Sequence, residues 1–132
     1  METVFLLCNH AQAGPDNNLN IYGVFNELYA PDFPARQDRL VLAGIIEWDQ
    51  QEQGRILFTI DLLDPSGGSI FTIEGHTDVN LAEILDSPPK SQLVLPMEKV
   101  LFPAPGRYRV RVTIRGEVLE GPSIYLIKRP RP

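Results

Sequence analysis

Residues 102–127 show the clearest alternation of apolar and polar positions in the chain. After a turn rich in proline and glycine, every second residue is apolar, and the apolar ones are Tyr108, Val110, Val112 and Ile114. A period of two is typical of a β-strand with one buried side and one side in water. Arg115-Gly116-Glu117 then predicts a tight reversal, and residues 123–128 predict another strand. We therefore expect a closing β-hairpin here.

Short apolar runs between turns continue this pattern along the rest of the chain. They predict strands over residues 4–8, 19–25, 40–48, 56–62, 69–79 and 93–102, with an extended crossover over residues 29–38. The alternation slips between Met97 and Val100, which predicts a bulge. Asn80 begins a capping-box pattern, so residues 81–85 predict a short helix. Together these features predict an all-β, immunoglobulin-like antiparallel β-sandwich of about seven to nine strands with at most one short helix.

The length and composition fit one globular domain. The chain has 132 residues, of which 43% are hydrophobic and 22% charged, an ordinary balance for a domain with one core. We expect a single β-sandwich domain over residues 1–128 and a short basic tail over residues 129–132. Its predicted core contains Trp48, Phe58, Tyr108, Val110 and Val112. The single cysteine excludes an intrachain disulfide, so packing alone must hold the sheets together.

The charge balance restricts the classes of partner. A formal net charge of −5 argues against general nucleic-acid binding and against an anionic membrane surface, because both need a basic protein face. The first residues lack a positively charged segment, and the apolar run that follows is too short to span a bilayer. We therefore expect a cytoplasmic protein that binds neither nucleic acid nor membrane.

Residues with catalytic or metal-binding chemistry are few and scattered. Cys8 and His10 share a strand face, but no acid or amide partner occupies a recognisable position for a nucleophilic site. A zinc site would need Cys8, His10 and His76, whose spacing lacks a zinc pattern. Loop residues that could bind calcium lack the dense acidic spacing of known calcium loops, and they are Asp16, Asn17, Asp64 and Asp86. We expect no catalytic residue, metal or cofactor; the alternative is an enzyme or metal-dependent binder using Cys8, His10 or His76.

Four arginines form the most conspicuous charge feature. Arg107, Arg109 and Arg111 point to the wet face of the alternating strand, and Arg115 has the same parity if the strand continues. Such a stripe could bind anions. In an acidic protein, pairing with carboxylates on neighbouring strands is the preferred explanation.

A second apolar face predicts an interface. The outer faces of an antiparallel sandwich are normally polar, yet apolar residues lie opposite the core face of several predicted strands. The candidate interface residues are Phe5, Leu7, Tyr22, Val24, Val41, Ala43 and Ile45. Alternatively, residues 9–18 and 81–85 cover this face within the chain. We expect a non-catalytic module that binds a protein partner or itself as a homo-oligomer; the alternatives are a domain for a small ligand, a carbohydrate or an anion, and a metal-dependent enzyme.

Several segments taken together resemble one protein family. They read LCNHA, LNIYGVFNEL, YAPDFPA, LDPSGG and PGRYRVRVTIRGE and extend over nearly the whole chain. They resemble an uncharacterised bacterial family of short cytosolic immunoglobulin-like β-sandwich proteins, a domain of unknown function. The resemblance implies a fold and a bacterial origin. It implies no activity and assigns no catalytic residue.

Overall fold

The computed structural model describes residues 1–15, 18–80 and 87–130, and within these ranges the chain forms nine β-strands and no α-helix. The strands are β1 (Glu2–Ala13), β2 (Leu19–Val24), β3 (Glu27–Ala30), β4 (Ala35–Glu47), β5 (Gly54–Leu63), β6 (Ser69–Val79), β7 (Lys90–Phe102), β8 (Gly106–Ile114) and β9 (Glu117–Lys128). The predicted helix over residues 81–85 lies outside the described residues. No helix in the described ranges is long and apolar enough to cross a membrane.

The strands form two sheets around one main core. Sheet A has the order β2-β1-β4-β7, and sheet B has the order β3-β9-β8-β5-β6. All neighbouring strands are antiparallel except β3 and β9, which are parallel, so the expected wholly antiparallel arrangement is wrong at this pair. Only Phe25 and Asn26 separate β2 from β3. β2 belongs to sheet A and β3 to sheet B, so the chain passes from one sheet to the other at these two residues.

The inward-facing residues of the alternating strands fill the space between the sheets. All five residues predicted for the core are buried there, and Tyr108 and Val112 have no exposed surface. Trp48 is one of these five residues, and its Nε1 donates a hydrogen bond to Ser91 Oγ at 2.9 Å. This bond leaves no unsatisfied donor on the largest side chain of the interior. The predicted all-β sandwich is confirmed.

The β8–β9 hairpin forms as the alternation predicts. Arg115 and Gly116 have φ angles of 51° and 80°, as expected for a two-residue turn that fits the twist of a hairpin. At the other end of β8, the Tyr108 hydroxyl donates to the Ala104 carbonyl at 2.7 Å and accepts from the Ala104 N–H at 3.2 Å. These two bonds fix the turn before β8 to the core.

The break in alternation that the sequence shows between Met97 and Val100 lies in β7, and the neighbouring strand β4 changes its buried side at the same place. Leu40 of β4 lies opposite Met97 and Gln37 lies opposite Val100, so the register is the same on both sides of the slip. Lys99 between them has a φ of 55°. The predicted bulge would have added a residue to one strand only. Instead both strands change their buried side together, which keeps Met97 and Val100 in the core.

A bulge does occur in β9. Arg109 pairs with Ser123 and Arg111 pairs with Glu120, so β9 has one more residue than β8 between these pairs. Gly121 lies in the bulge, and a Cβ there would be 3.0 Å from the Val110 carbonyl oxygen. This contact is closer than a side-chain carbon readily tolerates, so glycine lets the bulge lie against β8.

A carboxylate joins three strands on the outer face of sheet B. Asp61 accepts hydrogen bonds from Thr72 Oγ1 at 2.7 Å, Ser69 Oγ at 3.1 Å and Arg111 Nη2 at 3.3 Å. Burial alone raises the pKa of Asp61, but the three hydrogen bonds outweigh this effect and hold its pKa below the ordinary value. The ionised form therefore stabilises the folded chain.

Truncating Val110 should weaken the core. Val110 is 1% exposed, and Val110→Ala leaves a cavity that we expect to lower the free energy of unfolding by about 1–3 kcal/mol. Val118 on the adjacent strand is 60% exposed and provides a matched control. Val118→Ala should change the free energy by less than about 0.5 kcal/mol in the same urea titration. Equal losses in the two variants would contradict the assignment of Val110 to the core.

Neutralising Asp61 should produce a stability loss that depends on pH. A folded-state pKa below the unfolded value of about 3.9 contributes stability above that value and loses it as the pH falls through the folded-state pKa. Asp61→Asn should therefore lower the free energy of unfolding at pH 7 by about 1–3 kcal/mol, and urea titrations should show this difference shrinking below about pH 4.

The matched control is Asp78→Asn, which removes a solvent-exposed carboxylate that pairs with Arg55 at 3.6 Å. Exposed ion pairs contribute little, so we expect a change of less than about 1 kcal/mol at any pH. A loss in Asp61→Asn that is the same at pH 3 and pH 7 would show that the carboxylate charge is not the stabilising feature.

Candidate functional site

Much of the predicted interface is covered by the chain itself. Val41 and Ala43, on the outer face of sheet A, form a second buried cluster with Cys8 and Ala11. The partly buried side chains packed against this cluster are Leu19, Ile21 and Val94. Leu7 belongs to the main core between the sheets. The expectation that Leu7, Val41 and Ala43 lie at the surface is therefore wrong.

The cover comes from the β1–β2 hairpin. The described pairing of β1 with β4 ends where Cys8 lies opposite Val41, while β1 continues to Ala13 with β2 as its neighbour. Leu19 and Ile21 of this hairpin pack against the cluster. The expected cover from within the chain, by residues 9–18 and 81–85, is therefore correct in kind, but the covering side chains Leu19 and Ile21 belong to β2. Residues 81–85 lie outside the described residues.

The other four interface candidates differ in exposure. Phe5 and Ile45 are partly buried, and the Phe5 ring lies so close to Gly44 that a Cβ there would be 2.5 Å from it. Tyr22 and Val24 on β2 are 54% and 56% exposed. Tyr22 stacks on the His10 ring with the centroids 5.9 Å apart. Only these two of the seven candidates are largely exposed in the single chain.

Those of the predicted candidates that the structure describes do not come together as a nucleophilic or metal-binding group. Cys8 is fully buried, and its thiol donates a long hydrogen bond of 3.5 Å to the Val41 carbonyl. Burial raises the pKa of Cys8 more than a backbone hydrogen bond from His10 lowers it, which disfavours the thiolate. His10 and His76 lie in different sheets. The described part of the chain contains no group of three or more His, Cys, Asp or Glu side chains suited to a metal ion.

One predicted calcium-binding candidate has a structural role. Asp64 Oδ1 accepts hydrogen bonds from the Ser66 hydroxyl at 2.7 Å and from the Ser66 and Gly68 amides at 2.9 Å. These bonds, with that of the Ser66 hydroxyl the largest contributor, lower the pKa of Asp64 and stabilise the β5–β6 turn. Asp16, Asn17 and Asp86 lie outside the described residues.

Three of the four predicted arginines surround a cavity. Arg107, Arg109 and Arg111 project from the outer face of β8 beside a concavity of about 180 Å³ next to the β9 bulge. The other residues that line it are Leu63, Val110, Val118, Glu120, Gly121 and Ser123. Arg115 does not belong to this group, because β8 ends at Ile114. Its guanidinium bonds Glu52 at 2.7 Å and lies 5.8 Å from the centre of the Trp48 ring.

The three arginines have different partners. Arg111 forms an ion pair with Asp61, as the expected cross-strand pairing requires. Arg107 Nε donates to the Ser123 hydroxyl at 3.0 Å. Arg109 forms no ion pair with any part of the chain that the structure describes. Pairing with a carboxylate thus accounts for one of the three.

The basic tail is partly attached to the sheet. The Arg129 amide donates to the Ala30 carbonyl at 2.9 Å, and its guanidinium carbon lies 4.0 Å from the centre of the Tyr29 ring. Arg131 and Pro132 lie outside the described residues. The tail therefore begins as a continuation of the contact between β9 and β3.

The edge strand β6 was not identified as a site from the sequence. β6 pairs with β5 from Ser69 to Val79, and among the described residues no strand pairs with its other side. The alternation within β6 predicted a strand, but strand order cannot be deduced from alternation. The cavity beside Arg109 was missed for a similar reason, because only the Gly121-Pro122 dipeptide indicated an irregularity there.

Comparisons with known proteins place the chain in a family without assigning an activity. Among curated proteins, none matches the chain. The structure of Pseudomonas fluorescens alkylpurine DNA glycosylase AlkC bound to DNA containing an abasic site analog is similar, with a TM-score of 0.44 and 13% sequence identity. The alignment covers 93% of this chain and 30% of that longer chain, and a similarity at this level indicates nothing about activity.

The sequence itself gives the stronger relationship. Residues 3–127 match a family described as a family of unknown function, DUF6941. The match extends over nearly the whole domain and includes all the segments on which the resemblance was based. The chain therefore belongs to this family of unknown function, DUF6941.

Proposed function

We propose that this protein is a non-catalytic protein-binding module that pairs with a second copy of itself through the edge strand β6. The observation that carries the proposal is the form of this edge. β6 has 11 residues, and its pairing with β5 is regular from Val79 to Phe71. An exposed strand edge carries unpaired N–H and C=O groups, which an added strand satisfies.

The other sheet edges are poorer templates for pairing. β3 has four residues, and β2 has six residues with Gly23 at a φ of 68°. β7 is long, but it contains Pro96 and the kink at Lys99. Proline, lysine, short length and kinks are the usual features that protect an edge from pairing. β6 contains no proline, lysine or arginine, so its edge has the least protection.

The charges along β6 favour one way of pairing two copies. In an antiparallel pair centred on Gly75, Glu74 of each copy lies opposite His76 of the other. A pair centred on Glu74 would place two carboxylates opposite each other, and a pair centred on His76 would place Glu74 opposite Asp78. Like charges directly opposite destabilise a sheet, whereas an imidazole N–H opposite a carboxylate can donate a hydrogen bond to it. The pair centred on Gly75 is therefore the proposed register, and it gives a symmetric dimer.

The inward side of β6 does not interfere with this arrangement. The Thr77 hydroxyl donates to Ser91 Oγ at 3.0 Å, so its side chain points between the sheets. Glu74 and His76 lie on the exposed outer face of the strand. The backbone edge between these two faces is the surface that the second copy would occupy.

The non-catalytic part of the proposal is supported by the chemistry of the candidate residues. The Cys8 thiol is buried with a raised pKa, and His10 contacts Gln12 and Tyr22. An enzyme or metal-dependent binder using Cys8, His10 or His76 stays the alternative, and carbohydrate binding stays a second one. The exposed pair Tyr22 and Val24 stays a predicted contact surface of smaller area than the original seven-residue interface.

We also infer a bacterial, cytoplasmic and immunoglobulin-like protein. The resemblance of the segments quoted from the sequence supports the origin and the immunoglobulin-like character. A lone buried cysteine and a core without disulfides suit a reducing compartment. The net charge of −5 supports a protein partner over nucleic acid or an anionic membrane.

A charge substitution on β6 tests the dimer. We expect sedimentation velocity over a concentration series from the micromolar range upwards to show reversible dimerisation. His76→Glu places two carboxylates opposite each other twice in the symmetric pair, so its dissociation constant should rise at least about tenfold. The double variant Glu74→Lys, His76→Glu places opposite charges at these positions and should recover most of the affinity.

Val118→Glu is the matched control, because it adds the same charge to the same face of sheet B three strands away from β6. It should dimerise like the unmodified chain, and thermal unfolding should show that all the variants are folded. A chain that stays monomeric throughout the series, or equal weakening by His76→Glu and Val118→Glu, would refute pairing through β6.

A further inference from the structure

We propose that the cavity beside the β9 bulge binds a small organic anion, with Arg109 as its principal contact and Arg107 and Arg111 beside it. This site is independent of the β6 edge. It depends on three features of the outer face of sheet B: the spacing of the arginines, the concavity that the bulge creates and the pattern of ion pairs.

The spacing follows from the strand. Arg107, Arg109 and Arg111 occupy alternate positions of β8, so their side chains leave the same face at intervals of roughly 7 Å. Guanidinium groups at this spacing can converge on one ligand because each side chain is long and flexible. Arginine also presents a planar fork of donors that matches the oxygens of carboxylate and phosphate groups.

The bulge provides the concavity. Because β9 has an extra residue between Ser123 and Glu120, its backbone bends beside the arginines instead of continuing the flat surface. Gly121 at this point adds no side chain. The resulting cavity of about 180 Å³ is large enough for a small organic ion but not for a folded partner.

The pattern of ion pairs shows which arginines are available. Five described arginines form ion pairs with carboxylates, namely Arg36, Arg39, Arg55, Arg111 and Arg115. Arg129 lies over the Tyr29 ring. In the described ranges, the arginines left without a carboxylate or ring partner are Arg107 and Arg109, and both line the cavity. In a chain with a net charge of −5, two arginines without an ion pair beside one cavity favour an anionic ligand.

Asp61 and Glu120 limit the kind of anion that fits. Asp61 neutralises Arg111, and Glu120 lines the cavity opposite Arg111 in the sheet register. The positive charge is therefore concentrated at Arg107 and Arg109, and an extended polyanion would meet these carboxylates. A ligand with a single oxyanion group avoids them.

The other lining residues indicate what the uncharged part of the ligand should be. Leu63 and Val118 contribute apolar surface, and the Ser123 hydroxyl already accepts a hydrogen bond from Arg107. These walls suit an anion with a compact apolar body whose head lies at Arg109. Carboxylate and phosphate monoester heads share the required chemistry, so the experiment must distinguish between them.

Calorimetric titration with phenyl phosphate, benzoate and the uncharged benzyl alcohol tests the site. We expect at least one of the two anions to bind saturably with a stoichiometry of one, and the uncharged compound to give no saturable signal. The tighter of the two anions identifies the head group. Binding should weaken as the salt concentration rises, because the guanidinium groups are solvent-exposed.

Arg109→Gln tests the assignment of the principal contact. A hydrogen bond to a charged group is lost, so we expect the affinity to fall at least about tenfold. Arg55→Gln is the matched control, because Arg55 is an exposed arginine on the same sheet that pairs with Asp78. It should bind like the unmodified chain.

Thermal unfolding without ligand should confirm that both variants are folded. Unchanged affinity in Arg109→Gln, or no saturable binding of either anion to the unmodified chain, would overturn the proposal. Because the His76→Glu variant leaves the cavity intact, it should bind the anion normally, and failure of the proposed dimer would leave this result unaffected.

Discussion

The need to cover both faces of sheet A governs the architecture of this protein. β4, at the centre of that sheet, carries Leu40 and Leu42 on one side and Val41 and Ala43 on the other, and all four are buried. Leaving such side chains in water would cost on the order of 1.5–3 kcal/mol for each large one. Sheet B covers the first side. On the second side, Leu19 and Ile21 of the β1–β2 hairpin pack against the buried cluster that contains Val41 and Ala43.

That arrangement also determines where surface remains for function. Because the hairpin covers the outer face of sheet A, the broad apolar interface suggested by the alternation is reduced to Tyr22 and Val24. The outer face of sheet B carries a hydrogen-bond network centred on Asp61. The two proposed recognition surfaces both belong to sheet B, one at the β6 edge and the other at the charged cavity on its outer face.

The charges on sheet B have two separate roles. Arg111 and Asp61 have a structural role. The Asp61 carboxylate accepts three hydrogen bonds, and losing their donors would lower the free energy of unfolding. Within the part of the chain that the structure describes, Arg107 and Arg109 form no ion pair. The distinction depends on the register of β5, β8 and β9, which places Asp61 opposite Arg111 and places Ser123 opposite Arg109. The same alternating run of arginines therefore contains one structural residue and two that are available to a ligand.

The sequence alone determined the all-β sandwich, its core residues and the β8–β9 hairpin, because strand periodicity and turn chemistry are local properties. It also identified the slip near Met97, although it could not show that β4 and β7 kink together. Three features were decided only by the tertiary structure: the cover over Val41, the position of β6 at the edge of sheet B among the described strands, and the separation of Arg115 from Arg109. Each depends on which strands become neighbours and in which register, and residues far apart in the chain determine those pairings.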